Sequence, residues 1–402
     1  MVVPIQQVLR PLLITCFIMG LGVYPMKQPN PRIRWIAYLS ILYCLIIWVS
    51  YAYLFYYVVI SFTWEVLYAD TTNSVIIIIH IITTAISVIM SFYHQKRFEI
   101  NLKKLSAVDN SLEELGVSIM NQNIHMYSKI AIIGWIVYSL AVNFLDSIWW
   151  TSYVKLTSWG LFLAYILNHC LHVNAFTDLL FTFLLWYICI KFDTVNEYIR
   201  CLLIREDRGL RCTEQKSTVV LHRYTLGINY KQTLWTSMHL HLELCRITRE
   251  FNFLFGIQIT FGMTTYLMYL TSTCYGLCLY SMQQFSKEIL QTLFIWINVG
   301  SWAILLLIRM YFINYICESV MTKANEINKT IHQLTNILRY ADVCEEIYQF
   351  TLQIMHHPLK LTGMNLFYLG NKCFRKVCIT IVTFVIIMVQ MNVNINLEGN
   401  LL

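Results

Sequence analysis

The sequence predicts an all-α, polytopic membrane protein with seven transmembrane helices, a cytoplasmic N-terminus and a cytoplasmic helical anchor domain. Of its 402 residues, 57% are hydrophobic and only 13% are charged, whereas a soluble protein has about 25% charged residues. Charges are almost absent from seven stretches: 35–60, 74–93, 130–150, 156–190, 251–286, 289–308 and 377–397. A helix crosses a ~30 Å hydrocarbon core with about 20 residues, so each stretch can span the membrane once.

The basic residues predict which side of the membrane each segment faces, because cytoplasmic segments carry an excess of Lys and Arg. If the chain starts inside, 27 of the 29 basic residues are cytoplasmic, and only Lys155 and Lys287 lie outside. Without the long segments 191–250 and 309–376, 9 basic residues remain against 2. The N-terminus is therefore expected inside and the C-terminus outside. The net charge of +7 follows from this bias and suits anionic lipid, with no need of a nucleic-acid partner.

Apolar seams predict that the spans continue as helices into the cytoplasm. After span six, an apolar residue recurs at every third or fourth position: Ile316, Val320, Ala324, Ile327, Ile331, Leu334 and Leu338. A single helix over 289–340 would be roughly 78 Å long at 1.5 Å per residue. A similar stripe precedes span five: Leu234, Met238, Leu242 and Cys245. The apolar start, Ile5 to Tyr24, is expected to form an interfacial helix ahead of the first span.

The last span carries polar residues on one helical face. Thr383 and Gln390 share this face with three isoleucines at helical spacing: Ile379, Ile386 and Ile387. A glutamine in hydrocarbon is unfavourable unless it meets a polar partner or water. The face could hydrogen-bond to a neighbouring helix. It could also line a pore, with glutamine rings for hydrated ions and isoleucine rings that gate by dewetting. The spacing alone leaves both alternatives open.

Span four contains an acid and two histidines. Asp178 is a candidate functional group because ionisable residues inside membranes usually have a role. It could equally lie near the inner interface or cap a neighbouring helix. His169 and His172, nearer the outer end, are expected to share a face. No third ligand for a metal is evident beside them, which favours ligand binding or interhelical hydrogen bonds over a metal site.

Aromatic and small polar side chains concentrate in the outer halves of several spans, a composition that suits the pocket of a small organic ligand. The candidate ligand-binding residues are His80, Thr84, Asn143, Tyr165, His169, His172, Tyr266, Tyr269, Trp296 and Trp302. The alternative is the aromatic belt at the membrane interface, to which Trp149, Trp150 and Trp159 are assigned. Tyr266 and His169 lie deeper and are the better pocket candidates.

The sequence lacks the motifs of enzymes and of other seven-helix receptors. It has no Gly-rich phosphate loop and no H-E-x-x-H or G-x-S-x-G motif, so no enzyme, cofactor or metal centre is predicted. G-protein-coupled receptors kink several spans with proline, but none of the six prolines here lies in a span. A transporter would more often show internal repeats and broken helices. A ligand-gated channel agrees better with the polar face, the aromatic pocket and the cytoplasmic helices.

The last span contains Thr383-Phe384, then the five hydrophobic residues Val385 to Val389, then Gln390-Met391. This resembles the C-terminal signature of the insect gustatory receptors, which are related to the insect odorant receptors: Thr-Tyr, five hydrophobic residues and Gln-Phe. The threonine, the glutamine and the spacing agree, while both aromatic positions depart. Supporting similarity lies in Phe350 through Pro358, Gly363 to Asn371 and the Leu9 to Leu21 opening.

The resemblance implies a taste receptor in the plasma membrane that mediates acceptance or avoidance. Such receptors are homo- or heterotetramers with other gustatory receptor subunits, and a small-molecule tastant opens their non-selective cation channel. The resemblance also implies a pocket among spans two to six, open to the outside. The sugar-receptor branch tends to carry an acidic residue after Thr-Tyr, where this chain has Val385, so a bitter or other non-sugar tastant is expected. The alternatives are a G-protein-coupled-like seven-helix receptor or an odorant-receptor-like channel subunit.

In that family the seventh segment is split, which implies a cytoplasmic helix at about 340–356 and a pore helix at about 363–392 that carries Gln390. The chain is accordingly divided into a cytoplasmic segment 1–34, spans one to six in 35–308 with cytoplasmic extensions 94–129 and 191–250, an anchor region 309–362, a pore-lining helix 363–397 and an extracellular tail 398–402. The expected partners are a tastant, permeating cations, sister subunits and membrane lipid.

Overall fold

The chain folds almost entirely into helices in the computed structural model, which describes residues 5–22, 33–58, 71–114, 122–153, 160–212, 220–283, 289–337 and 341–399. Two short helices come first, α1 (Ile5–Val8) and α2 (Arg10–Ile18). Six long helices follow: α3 (Ile33–Val58), α4 (Thr71–Glu114), α5 (Gln122–Tyr153), α6 (Gly160–Cys212), α7 (Val220–Gln283) and α8 (Ile289–Ile337). The last elements are α9 (Ala341–His356), β1 (Thr362–Gly363), β2 (Phe367–Tyr368) and α10 (Asn371–Gly399).

Within the described residues, seven helices are long and apolar enough to cross a membrane: Tyr38–Tyr57, Ile77–Glu114, Ile124–Ile148, Phe162–Arg200, Leu234–Leu279, Trp296–Ile327 and Asn371–Met391. Each overlaps one of the seven charge-poor stretches, so the predicted seven-helix membrane fold is confirmed. Helices α4, α6, α7 and α8 continue past those stretches without a break. Helix α8 has 49 residues, in agreement with the single helix expected over 289–340.

Helix α6 lies at the centre of the bundle. Of its apolar window, 72% is buried within the chain, compared with 11% for the windows of α3 and α10. It packs against α3, α4, α5, α7 and α8, and its large side chains Phe181, Tyr187 and Phe192 are almost completely covered. A polar residue on α6 therefore meets protein on nearly every side, whereas one on α10 does not.

The N-terminal segment, where one interfacial helix was expected, forms two short helices that pack against the bundle. Both α1 and α2 pack against α5, and Ile5 of α1, Leu12 of α2 and the intervening Leu9 are wholly buried among the chain's own helices. Pro11 lies in the first turn of α2, where its missing N–H has no intrahelical partner to lose. The apolar face of this segment is covered by the chain's own helices.

The two predicted apolar seams are largely buried. After span six, four seam residues are covered: Ile316, Val320, Ala324 and Ile327. The side chains of Ile331 and Leu334, and all of Leu338, lie outside the described residues. Before span five, Leu234, Met238 and Cys245 are buried, and Leu242 is partly buried against the same core. Helical spacing of apolar residues thus identified packed faces.

The seventh segment is split, but its second helix begins later than expected. Helix α10 starts at residue 371 instead of about 363, because β1 and β2 form an antiparallel hairpin between α9 and α10. Met364 and Asn365 turn the chain with φ of 47° and 59°, and the Leu366 N–H donates to the Gly363 carbonyl at 2.8 Å, so the loop between the paired residues Gly363 and Phe367 is three residues long. Strands of two residues are too short for an alternating pattern, so periodicity could not reveal them.

Two asparagines fix the hairpin to the long helices. Asn252 of α7 accepts a hydrogen bond from the Thr362 backbone N–H at 3.1 Å, and Asn314 of α8 accepts one from the Gly370 N–H at 3.0 Å. Gly370 has φ of +135°, and a Cβ there would collide with the Glu318 carboxylate. The start of α10 is thereby tied to α7 and α8.

Candidate functional site

Polar side chains from α5, α6 and α8 converge on the Asp146 carboxylate. Asn298 donates to Oδ1 and Asn168 to Oδ2, both at 2.7 Å, and Trp302 Nε1 lies 3.2 Å from Oδ2. These three neutral donors hold the carboxylate at the junction of the three helices. We name the group the Asp146 cluster; its members are Asn143, Asp146, Asn168, His172, Asn298 and Trp302.

Within the Asp146 cluster, His172 is oriented by hydrogen bonds and by two indole rings. Asn143 Nδ2 lies 2.8 Å from His172 Nε2, and Asn168 donates to Asn143 Oδ1 at 2.9 Å. If the amides are assigned in this way, Nε2 accepts and the ring proton sits on Nδ1. The imidazole centroid lies 5.8 Å from that of Trp135 and 6.1 Å from that of Trp302. The cluster thus combines hydrogen-bonding groups with aromatic surface.

A second polar group lies further along α6 and α8, centred on an ion pair. Arg309 Nη2 lies 2.6 Å from Asp178 Oδ2, with side chains that are only 9% and 15% exposed. The Tyr266 hydroxyl also donates to the Asp178 carboxylate. The guanidinium lies 5.2 Å from the ring centroid of Tyr266 and 5.6 Å from that of Trp135. Since Trp135 also contacts His172, it connects this group to the Asp146 cluster.

The ion pair lies beside a small cavity of about 10 Å³. Its wall includes His80 of α4, Asn174 of α6 and Gln258 of α7, together with Asp178, Tyr266 and Arg309. Gln258 Nε2 donates to the Ser87 carbonyl at 3.0 Å, which ties α7 to α4. We name these six residues the Arg309 cluster: His80, Asn174, Asp178, Gln258, Tyr266 and Arg309.

Most of the predicted ligand-binding residues lie in or against the two clusters. They are His80, Thr84, Asn143, His172, Tyr266, Tyr269 and Trp302. Thr84 donates to the Cys170 carbonyl at 3.2 Å, and the Tyr269 ring centroid lies 6.2 Å from that of His80. By contrast, Tyr165 and Trp296 are 37% and 39% exposed on the surface of the chain.

His169 and His172 contact different helices, although a shared face was expected. The His169 ring lies against α3, with its centroid 5.7 Å from that of Trp48 and 4.9 Å from that of Tyr51. Residues three apart on a helix are offset by about 60°. On a central helix with neighbours on all sides, that offset is enough to separate the two rings.

Sequence patterns did not reveal the buried position of Arg309. The charge-free stretch of span six ends at residue 308, so Arg309 was counted among the cytoplasmic basic residues, whereas it is a buried residue inside α8. Lys191 shows the same effect: it is fully buried and lies 2.9 Å from Asp109. When the predicted end of a span is placed at the first charged residue, the prediction is wrong wherever that charge is buried with a partner of opposite charge. The sequence offered one indication of this ion pair: an isolated Asp in span four and an isolated Arg at the edge of span six.

The residues predicted to line a pore are together on α10. At 100° per residue, Ile379, Thr383, Ile386 and Gln390 lie within about 60° of one another, and all four are exposed. Ile387, beside them, is 44% exposed. The opposite face of α10 packs against the core of the chain through Phe374, Val377, Ile381 and Val385. The polar face is therefore directed away from the chain's own core.

Sequence comparisons connect this architecture to sensory receptors. A family profile described as 7tm Chemosensory receptor matches residues 9–395. A Drosophila melanogaster protein with the name "Putative gustatory receptor 28b" is 23% identical over 313 residues, which is 76% of this chain. The match covers 66% of that relative's length, slightly less than two thirds.

Two solved structures share the fold. The insect olfactory receptor OR5 from Machilis hrabei superposes with a TM-score of 0.66 at 10% identity, covering 96% of this chain and 98% of the receptor. The same receptor in complex with eugenol gives a TM-score of 0.53 at 13% identity, covering 96% and 100%. At these identities the likeness shows the shared seven-helix fold alone. Because the family profile spans almost the whole length, the chain belongs to the 7tm chemosensory receptor family, a family of receptors and not of enzymes.

Proposed function

We propose that this chain is a subunit of a taste receptor that works as a ligand-gated, non-selective cation channel in the plasma membrane. Its N-terminus is cytoplasmic and its C-terminus extracellular, and the channel is a homo- or heterotetramer. A small-molecule tastant, bitter or otherwise non-sugar, binds among α4 to α8 at the two polar clusters. Family membership, the name of the gustatory relative and the geometry of α10 support this proposal.

The exposed polar face of α10 carries most of the argument. Gln390 and Thr383 lie on a face that its own chain leaves uncovered. A glutamine that faced lipid would lack hydrogen-bond partners, so water or a neighbouring subunit is its more favourable surrounding. Four copies arranged around an axis would bring Gln390 and Ile386 together as rings, a polar ring for hydrated ions and an apolar ring that closes the pore by dewetting.

A continuous set of contacts supports coupling between ligand and pore. Helix α8 carries Trp302 of the Asp146 cluster and Arg309 of the Arg309 cluster. Asn314 follows Arg309 on the same helix after one to two turns. Asn314 accepts a hydrogen bond from the N–H of Gly370, immediately before α10. A ligand that shifts α8 would therefore displace the start of α10 through a single buried side chain. The anchor region formed by the cytoplasmic extensions and α9 would hold the subunits together meanwhile.

Gln390→Ala tests the pore assignment. The variant is expected to change relative cation permeability or pore block in cells, at normal surface expression. Cys378→Ala is the matched control, because Cys378 packs against the chain's own core and lies on α10 about 120° away from Gln390 at 100° per residue. Unchanged permeation in a surface-expressed Gln390→Ala receptor would refute the pore assignment.

Excised patches distinguish the channel from its alternatives. A tastant-evoked current is expected to persist without guanine nucleotides, whereas a strict GTP requirement would favour a G-protein-coupled-like receptor. The fold likeness to an olfactory receptor keeps an odorant-receptor-like channel subunit as the second candidate. A panel that contains dissolved tastants and volatile odorants, recorded as current, separates these two by which class opens the channel.

A further inference from the structure

Three basic residues at the start of α10 lie on the same helical face as Gln390. At 100° per residue, Lys372, Arg375 and Lys376 lie about 0°, 60° and 40° from the direction of Gln390. All three side chains are exposed, and we name them the basic face. The residues that pack against the chain's own core lie about 140–180° from that direction: Phe374, Val377 and Ile381. The basic face therefore continues the face that is proposed to line the pore.

The basic face and Gln390 lie far apart along α10. Lys372 precedes Gln390 by 18 residues and Lys376 precedes it by 14, which corresponds to about 27 and 21 Å at 1.5 Å per residue. This separation is most of a ~30 Å hydrocarbon core. With the proposed orientation, α10 begins at the cytoplasmic side of the membrane. The basic face then lies at the cytoplasmic mouth of the pore.

Within the described residues, no ion pair neutralises the basic face. Glu398 is the only acidic residue in the sequence of α10, and it stands at the opposite end of the helix. Glu318 of α8 lies beside Gly370, but it forms no ion pair with the three bases. Each subunit therefore presents three uncompensated positive charges, to which the N-terminal end of the α10 dipole adds.

Charges around a pore mouth change the local concentration of ions. Three charges from each of four subunits would give a ring of twelve, and protein surfaces reach potentials of several kT. A positive potential of one kT per unit charge depletes a monovalent cation about threefold. It depletes a divalent cation about sevenfold, because the double charge doubles the energy. A basic ring therefore disfavours divalent cations relative to monovalent ones.

Contact with lipid is the alternative role for the basic face. Lysine and arginine near the cytoplasmic end of a membrane helix attract anionic headgroups. That contact requires the face to lie at the periphery of the assembly. Gln390, on the same face of the same continuous helix, would then face hydrocarbon without a hydrogen-bond partner. The position that suits Gln390 therefore places the basic face around the pore axis.

We propose that Lys372, Arg375 and Lys376 form a positively charged ring at the cytoplasmic mouth of the pore, and that this ring selects monovalent over divalent cations. The inference rests on the proposed channel function, for which it names the residues that determine ion selectivity. The three side chains act on permeating ions through their charge, so their replacement changes selectivity without a change in the packed core.

The experiment measures the ratio of Ca²⁺ to Na⁺ permeability from reversal potentials, in cells that express the full chain and with the compounds of the tastant and odorant panel. The triple variant Lys372→Gln, Arg375→Gln and Lys376→Gln is expected to raise this ratio at least about threefold, the equivalent of one kT of lost potential. Arg375→Lys keeps the charge and should leave the ratio unchanged. Lys129→Gln is the control, because Lys129 is an exposed basic residue of α5.

Ionic strength separates an effect of charge from an effect of structure. Raising the ionic strength from about 0.1 M to about 1 M shortens the Debye length from ~10 Å to ~3 Å. The wild-type permeability ratio is expected to rise towards that of the triple variant. The ratio of the triple variant should change little, because the charges that salt would screen are absent.

Two results would overturn the inference: an unchanged permeability ratio in the triple variant, or an equal rise in Lys129→Gln. In both cases a current still flows, so the channel proposal stands and the basic ring alone is rejected. A wild-type chain that reaches the cell surface and carries no current with any compound of the panel refutes the channel proposal, and the ring with it.

Discussion

Replacing Arg309 with methionine removes the cation of the buried ion pair and keeps an apolar side chain of similar length. Arg309 and Asp178 are 9% and 15% exposed, so the pair does not belong to the surface pairs that contribute about 0–1 kcal/mol. Loss of one partner of a buried pair costs about 3–5 kcal/mol of folding free energy. Arg309→Met is therefore expected to destabilise the chain strongly.

The contacts around the pair predict which single replacement is worse. In Arg309→Met, Asp178 still accepts the hydrogen bond from Tyr266, so the cost should fall near the lower end, about 3 kcal/mol. In Asp178→Leu, Arg309 loses the partner of Nη2 while Nε and Nη1 already have none, so the cost should approach about 5 kcal/mol. The double replacement leaves no uncompensated charge, and it should be more stable than either single variant.

The assay is the unfolding midpoint of the purified full chain in detergent, followed by size-exclusion fluorescence after heating. The expected order of stability is wild type, double variant, Arg309→Met and then Asp178→Leu. Arg200→Met is the control, because Arg200 pairs with Glu326 at the surface with 45% and 27% exposure and should change stability by at most about 1 kcal/mol. Additive losses in the double variant, or an Arg309→Met midpoint equal to that of Arg200→Met, would refute this reasoning.

Two further predictions concern the link between α8 and the start of α10. Asn314→Leu leaves the buried Gly370 N–H without its acceptor, which costs about 1–3 kcal/mol, and this variant should lower the tastant-evoked current per surface receptor. Asn314→Asp keeps the acceptor and serves as the control. Equal currents in the two variants would exclude this contact from gating. Gly370→Ala should reduce surface expression, because Gly370 has φ of +135°, a conformation that residues with a side chain rarely adopt. Gly134→Ala, at a helical glycine with nothing within 4 Å of its Cβ, should not; equal expression of the two would contradict the strain.

The helices were predictable because their signal is local. Hydrophobic length determines whether a segment can cross a membrane, and the charge-poor stretches carried that signal without knowledge of any contact. The seam from Ile316 to Ile327 likewise follows from a repeat of three or four residues, and it is buried in the structure. The hairpin before α10 escaped prediction because its two-residue strands carry no pattern, and their positions depend on Asn252 and Asn314 of distant helices.

The site was predictable only in part. His172, Tyr266 and Trp302 were identified from composition. His172 and Trp302 contact each other in the Asp146 cluster, and Tyr266 contacts Arg309 in the Arg309 cluster. Composition could not distinguish them from Tyr165, which has the same chemistry and lies at the surface. Burial is a property of the packed bundle, and a helix that is apolar on all sides gives no indication of which face is covered.

The sequence by itself determined that this chain forms seven membrane-crossing helices and belongs among the chemosensory receptors, because hydrophobic length and a short terminal motif are properties of contiguous residues. Only the tertiary structure decided that Arg309 is buried among the helices. A guanidinium is tolerated there because Asp178, on another helix, lies 2.6 Å away. The free energy of a buried charge depends on its partner, and that partner stands 131 positions earlier in the chain.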